Sequence, residues 1–316
     1  AKFEVSGPGA ENWLNHLLAN RMPKIGRMTL SPMLSARGRL AGDFSVSQIE
    51  PERFLLLGAD YMQLAFMRHM NQFLPVDGVS FTNLSSTYGG LHLCGPNAQA
   101  LITRLAKHDM DSSSFPFMSA AEMTIGDIGK VQVLRVSFTG ETGYEMYLPM
   151  ASQLALFDLL RAEGANLGLG LVGTRCLMQT RLEKSFPAWA LELSSDYTAV
   201  EAELDRFVKT DKGDFIGRDA FLNAPAPREK FATFTVEAGD CVVWGDEAIF
   251  LDSKPVGYVT SGGFGPTCEQ HIALGYVNCD AYRPGGQYAV EVLGQLVAAE
   301  LQTEPLYDPT GAKMRA

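Results

Sequence analysis

The segment Ser137–Tyr147 (SFTGETGYEMY) concentrates the residues best suited to chemistry. Thr139, Gly140 and Gly143 read as a tight turn between two strands, with Glu141 in the turn and Glu145 inside the second strand. Side chains alternate along a strand, so Glu145 and Tyr147 share one face while Tyr144, Met146 and Leu148 share the other. A glutamate inside an otherwise apolar strand has to be solvated, paired or bound to a ligand, because burying it alone is costly. Spacing alone leaves two readings open, a solvent-facing acid or a carboxylate on the floor of a pocket. In the second, the ionised group only accepts hydrogen bonds, and its two oxygens match paired N–H donors such as an aminopyrimidinone edge.

Two further groups stand where a ligand could reach them. Arg175 follows a glycine-rich entry near the start of the Gly170–Ser185 helix, in reach of a ligand carboxylate, whereas Arg181 to Lys184 reads as ordinary surface patterning. Asp60, with Tyr61 and Gln63, sits at a strand–helix junction, the place of an N-cap or of a general base. Thr260–Pro266 (TSGGFGP) matches neither phosphate-loop spacing and reads as a β-turn. Asp211–Arg218 lacks the twelve-residue loop and terminal Glu of a calcium site. The five histidines show no HxxxH or HExxH spacing and the five cysteines no CxxC pair, so no metal site is expected. The odd cysteine count points to reduced thiols in a cytoplasmic-type compartment, or the mitochondrial matrix in a eukaryote. No Ser-His-Asp or Cys-His pair and no Gly-rich dinucleotide fingerprint can be assigned. A flavin or nicotinamide would then sit on another chain or on a missing upstream part.

The elements that position these residues follow from repetition. Phe3–Leu18 (FEVSGPGAENWLNHLL) and Leu91–Leu105 (LHLCGPNAQALITRL) each run from a short apolar strand through Gly-Pro-x-Ala into a helix of apolar period. Strands at Asp43–Ile49 and Arg53–Leu57 and a helix near Tyr61–Phe73 follow the first copy; strands at Val131–Ser137 and Tyr144–Leu148 and a helix at Ala151–Glu163 follow the second. Two related α/β units, roughly 1–85 and 86–165, therefore form a core with residues 166–223. After the Ala224–Pro227 linker, residues 228–316 carry six short strands and almost no helical period, the signature of a small β-barrel or sandwich. The expected class is α+β, two related α/β units followed by a C-terminal all-β domain.

Composition narrows the function classes. The chain has 316 residues, 46% hydrophobic and 20% charged, with a formal net charge of −10. Such a chain folds, has no basic cluster to follow a phosphate backbone, and contains no run long enough to span a bilayer. Its first residues, AKFEVS, start inside a strand without an initiator methionine, which reads as a fragment or processed product.

Taken together, the two Gly-Pro-x-Ala units, SFTGETGYEMY, GTRCLMQTRLEK, KGDFIGR and the late VTSGG…ALGYV resemble the glycine-cleavage T-protein (aminomethyltransferase) family from about Phe3 to Arg315. The wording SFTGE, DYTAVEAELDRFV, KGDFIGRDAF and YDPTGAKMR is most similar to the folate-binding C-terminal region of dimethylglycine and sarcosine dehydrogenases. The resemblance implies a three-lobed cloverleaf, two α/β units plus a C-terminal small β-barrel, around a tetrahydrofolate pocket, and capture of an amine-derived methylene or formaldehyde as 5,10-methylenetetrahydrofolate. It implies that Glu145 holds the pterin with Tyr147 beside it, that Phe138 lies near the pterin where T-proteins often carry tyrosine, and that Arg175 is the arginine after the helix glycine. It also implies an aspartate at the start of the helix after the third strand. There this chain offers Gln63 to Ala65 and no carboxylate, with Asp60 the nearest substitute. Implied partners are folate, a one-carbon unit from a methylated amine, and a flavoprotein domain or subunit carrying FAD. The alternatives are a stand-alone folate-dependent aminomethyl- or methyltransferase and a non-catalytic folate-binding module.

Overall fold

A computed structural model describes all residues from Ala1 to Ala316. The first unit contains β1 (Lys2–Ser6), α1 (Ala10–Leu17), β2 (Met28–Leu34), β3 (Leu40–Glu50), β4 (Arg53–Leu57), α2 (Gln63–Asn71) and β5 (Ser80–Asn83). The second contains β6 (Tyr88–Cys94), α3 (Ala98–Leu105), β7 (Ala120–Thr124), β8 (Lys130–Leu134), β9 (Gly143–Pro149) and α4 (Gln153–Gly164). The sheets are ordered β2-β3-β4-β1-β5 and β6-β9-β8-β7. Read from β1 outward, the first runs β1-β4-β3-β2, the same order as the second, and β5 is an added edge. The internal repeat is thus a repeat of topology as well as of sequence.

Each unit has an outer strand that periodicity does not reveal, and the first has the edge strand β5 besides. β2 contains Pro32, which removes a ladder donor, and β7 (AAEMT) is poor in β-branched and aromatic residues. Both are outer strands of their sheets, where those residue types are tolerated. The two outer strands meet: Met28 N–H donates to Met118 O at 2.9 Å and Ala120 N–H to Gly26 O at 3.0 Å.

The sheets keep their helices on outer faces and turn their inner faces toward each other. On β4, Phe54 and Leu56 join the helix-side core with Trp13, Leu14 and Phe66, while Leu55 and Leu57 join Met28, Ala120 and Leu134 between the sheets. Alternation along one strand thus serves two cores. Burial of each such Leu or Phe contributes roughly 1.5–3 kcal/mol.

The third lobe is a closed barrel ordered β10-β13-β12-β11-β14-β15, which leaves no open sheet edge. Its strands are β10 (Glu229–Val236), β11 (Ala248–Leu251), β12 (Lys254–Gly265), β13 (Gln270–Asn278), β14 (Tyr288–Val292) and β15 (Gln295–Gln302). Thr260–Pro266 is not a turn: β12 runs on through Gly265, and Ser261–Gly265 pair with Leu274–Gln270 of β13. The glycines there admit close packing on the neighbouring helix rather than reversing the chain. A Cβ on Gly263 would lie 3.2 Å from Leu182.

That helix is α5 (Thr174–Glu183), followed by the short α6 (Arg218–Leu222) and α7 (Ala312–Arg315). The charged run at its end is not surface patterning, because Arg181, Glu183 and Lys184 are all buried. Arg181 donates to Glu192 Oε2 at 2.7 Å and to Ser261 Oγ at 2.7 Å. Glu192 also accepts from Ala188 N–H and Thr260 Oγ1, each at 2.9 Å. Glu183 accepts the N–H groups of Thr267 and Cys268 at 2.6 and 3.0 Å. These paired charges fasten the helix to the barrel. No helix is long and apolar enough to cross a membrane.

Candidate functional site

A cavity of about 370 Å³ opens between the inner faces of the two sheets. One wall is Ala1 and Lys2 with Leu57 and Gly58, from β1 and the end of β4. The facing wall is Gly90, Leu91 and His92 of β6 with Glu145 and Tyr147 of β9. Phe138, from the turn before β9, and Leu177, from α5, complete it. Its size and mixed lining are those of a small-molecule site.

The facing wall carries a polar row because of strand register. Glu145 is opposite His92 on β6 and Leu134 on β8; Tyr147 is opposite Gly90 and Gln132. Opposed residues point to the same face, so Gln132, Tyr147, Glu145 and His92 all look toward the first sheet. The other face of β9, formed by Tyr144, Met146 and Leu148, is fully buried in the second core. Tyr147 Oη donates to Glu145 Oε2 at 2.7 Å. Burial raises the phenol's pKa far above its usual range, and the carboxylate's charge and hydrogen bond add to this, so Tyr147 stays a donor. Gly90 makes room for that ring: a Cβ there would be 2.8 Å from a Tyr147 ring carbon. Glu145 Oε1 has no hydrogen-bond partner and remains available as an acceptor at the cavity.

Phe138 is held from behind. Its ring stacks on Phe186 with centroids 6.0 Å apart. Its turn is strapped by the C-terminal segment: Thr142 Oγ1 donates to Lys313 O at 2.9 Å, and Tyr307 Oη donates to Glu141. Lys184 lies 3.7 Å from Asp308 in the same strap. The YDPTGAKMR ending is therefore a brace for the turn that presents the cavity's aromatic wall.

The cavity gathers Glu145, Tyr147 and Phe138, whereas Asp60 and Arg175 are not among its lining residues. Arg175 is exposed on the first turn of α5, two residues before the lining Leu177. The side chain of Asp60 is 78% exposed, and it forms no cap hydrogen bond in the 3₁₀ turn leading into α2.

Two polar groups escape a reading of the sequence. Asp43, on β3, shares its face with Ser45, which pairs with the lining Leu57. Part of its surface is accessible, yet protein surrounds it closely enough that burial pushes its pKa up to about 6, opposed by a hydrogen bond from its own backbone amide. It is the raised carboxyl on the inner face, a few residues from the Leu57–Gly58 wall. Its one trace in sequence is a charged residue heading the alternating strand DFSVSQI. His92 is open to the cavity and has no hydrogen-bond partner; crowding lowers its pKa against the opposing charge of Glu145, which keeps the ring neutral at pH 7.

Comparison with known proteins converges on one family. The family described as "GCVT N-terminal domain" matches residues 1–212, and that described as "Glycine cleavage T-protein C-terminal barrel domain" matches residues 230–308. The mitochondrial dimethylglycine dehydrogenase of Mus musculus is 33% identical over 99% of this chain, but the chain spans only 37% of that protein's length. An aminomethyltransferase of Listeria monocytogenes serotype 4a (strain HCC23) is 32% identical over 96% of this chain and 83% of its own. In fold, the crystal structure of glycine cleavage system aminomethyltransferase T from Bartonella henselae superposes with a TM-score of 0.87 at 23% identity, covering 98% of this chain and 84% of that one.

Proposed function

The chain belongs to the glycine-cleavage T-protein family of folate-dependent aminomethyltransferases, and from that premise we propose that its cavity binds tetrahydrofolate and captures the one-carbon unit released when an N-methylated amine of the dimethylglycine or sarcosine kind is demethylated. The product would be 5,10-methylenetetrahydrofolate. The observation that carries this reading is Glu145: a carboxylate on the cavity wall, fixed by Tyr147 at one oxygen and free at the other.

The residues present fit a reduced pterin. Glu145 would accept the paired N–H donors of the pyrimidine edge, a charge-assisted contact. Phe138 and Leu177 would supply apolar surface to the ring, and Lys2 a cation at the opposite wall. The folate, when bound, supplies the nucleophilic amine that takes up the carbon. Asp43 would accept and return the proton at that amine. A carboxyl titrating near pH 6 is well matched to such exchange near neutrality. Neither Asp43 nor Asp60 is among the residues that line the cavity; Asp43 is favoured because it stands on the inner face two residues along β3 from Ser45, the partner of the lining Leu57, whereas the side chain of Asp60 is 78% exposed.

The chain does not fit FAD. All its strand ladders between named strands are antiparallel, and it lacks the parallel-sheet crevice and glycine fingerprint that bind a dinucleotide. We assign any flavin-dependent oxidation to a separate domain or subunit. A second reading, stand-alone aminomethyl transfer, is favoured by the near end-to-end match to the Listeria aminomethyltransferase. Substrate assays with methylated amines plus a flavoprotein, against an aminomethyl donor on a carrier, separate the two.

Calorimetric titration with tetrahydrofolate tests the shared core of both. One site per chain is expected. Glu145→Gln should weaken binding by about 1.5–3 kcal/mol, the scale of a hydrogen bond to a charged group. Unchanged affinity in the variant removes Glu145 from the site and this reading with it.

A further inference from the structure

We propose that His92 is a specificity-determining residue of the cavity, donating a hydrogen bond to the ring carbonyl next to the N–H groups that Glu145 accepts. This rests on the reading of the cavity as a pterin site. An aminopyrimidinone edge presents an exocyclic NH2, a ring N–H and a carbonyl oxygen in a row. A carboxylate satisfies the first two and has nothing to offer the third, since it only accepts. A donor must therefore stand beside Glu145.

Register leaves one flanking residue able to do this. On the β8 side Glu145 faces Leu134, which is apolar, and Gln132, one pair along, is buried and does not line the cavity. Along β9 its neighbour Tyr147 spends its O–H on Glu145 itself. On the β6 side it faces His92, a lining residue with both ring nitrogens unspent. Directly opposed residues have Cβ atoms about 4.5–5.5 Å apart, close enough for both side chains to reach groups on one ring edge. Lys2 also lines the cavity, but from the first sheet on the opposite wall.

Backbone next to the ring is shaped to admit it. Gly143 projects to the same face of β9 as Glu145, and a Cβ there would lie 3.2 Å from His92 Nε2 and 2.6 Å from Val136 O. The glycine hairpin that sets Glu145 in place thus also opens the space that the imidazole occupies. A neutral imidazole keeps one N–H to donate, and the charge of Glu145 favours turning that N–H toward the space they share.

The role predicts discrimination at one atom. Tetrahydrofolate and its 4-amino analogue tetrahydroaminopterin differ at that ring carbonyl, which the analogue replaces with an amino group; N3 loses its hydrogen with the change, so each His92 variant is compared with wild type for each compound separately. Titration of wild type, His92→Phe and His92→Gln with both compounds tests it. His92→Phe should weaken tetrahydrofolate about tenfold and the 4-amino analogue less than twofold. His92→Gln, which restores a donor, should bind tetrahydrofolate within about threefold of wild type. Equal losses for both compounds would make His92 a packing residue and overturn the proposal, as would no loss for either. Insensitivity of tetrahydrofolate binding to Glu145→Gln would instead overturn the pterin reading on which it rests.

Discussion

Replacing Asp43 by asparagine should make the protein more stable and less active. The native carboxyl titrates at about 6, against 3.8 for an unhindered aspartate. Each pKa unit is worth about 1.4 kcal/mol of difference between the protonated and ionised forms. Ionising Asp43 in the folded chain therefore costs on the order of 3 kcal/mol, an upper figure because part of its surface meets solvent. The folded state binds this proton more tightly than the unfolded state. Asp43's contribution to stability is thus complete below pH 4, declines as the pH rises, and is lost above pH 6. Asparagine cannot ionise and escapes that decline. Urea unfolding at pH 8 should show Asp43→Asn more stable than wild type by about 1–3 kcal/mol, the gap closing toward pH 4. In the same variant, tetrahydrofolate should bind almost normally while methylene transfer slows by about 10²–10⁴-fold, the range for loss of a general acid–base group. A variant no more stable at pH 8 would show that the carboxyl is solvated and ordinary. Full transfer activity would remove it from proton exchange.

Arg181→Met should destabilise the fold by about 3–5 kcal/mol, since it strands the Glu192 carboxylate without its counter-charge; Arg181→Met with Glu192→Leu should recover much of the loss, and thermal unfolding of both variants checks this. The buried Gln132 amide, next to Tyr147 in the inner face, has no partner at either end. Gln132→Leu should therefore raise stability by about 1 kcal/mol in urea titration, and a loss of stability would mean that the amide is satisfied after all.

Much of this arrangement is visible in the chain before it folds. Alternation puts Glu145 and Tyr147 on one side of a strand and Tyr144, Met146 and Leu148 on the other, and this holds in any context. The six barrel strands stand out because short alternating runs separated by turns have no helical alternative. What stays hidden needs a second sheet. Alternation along DFSVSQI separates Asp43 from Phe44, but not which side faces the opposing sheet and which the helices. His92 sits between two leucines like any polar residue on a half-wet strand; only register against β9 sets it beside Glu145. The run Arg181–Lys184 has the charges of a surface helix, and only the docked barrel, with Ser261 and Thr260 on β12 and the backbone of Thr267, makes it an interior network. Asp60 and Arg175 stand at local positions that suit chemistry, yet the tertiary packing directs neither to the cavity wall. Local rules find the side chain; the partner across the gap decides its role.

The most direct measurement is a crystal structure with tetrahydrofolate soaked in. A pterin lying between Phe138 and the Leu57–Gly58 wall, its pyrimidine nitrogens about 3 Å from the Glu145 carboxylate, is the predicted result. Ligand density elsewhere, or a Glu145 side chain turned out to solvent beside a bound folate, would contradict it.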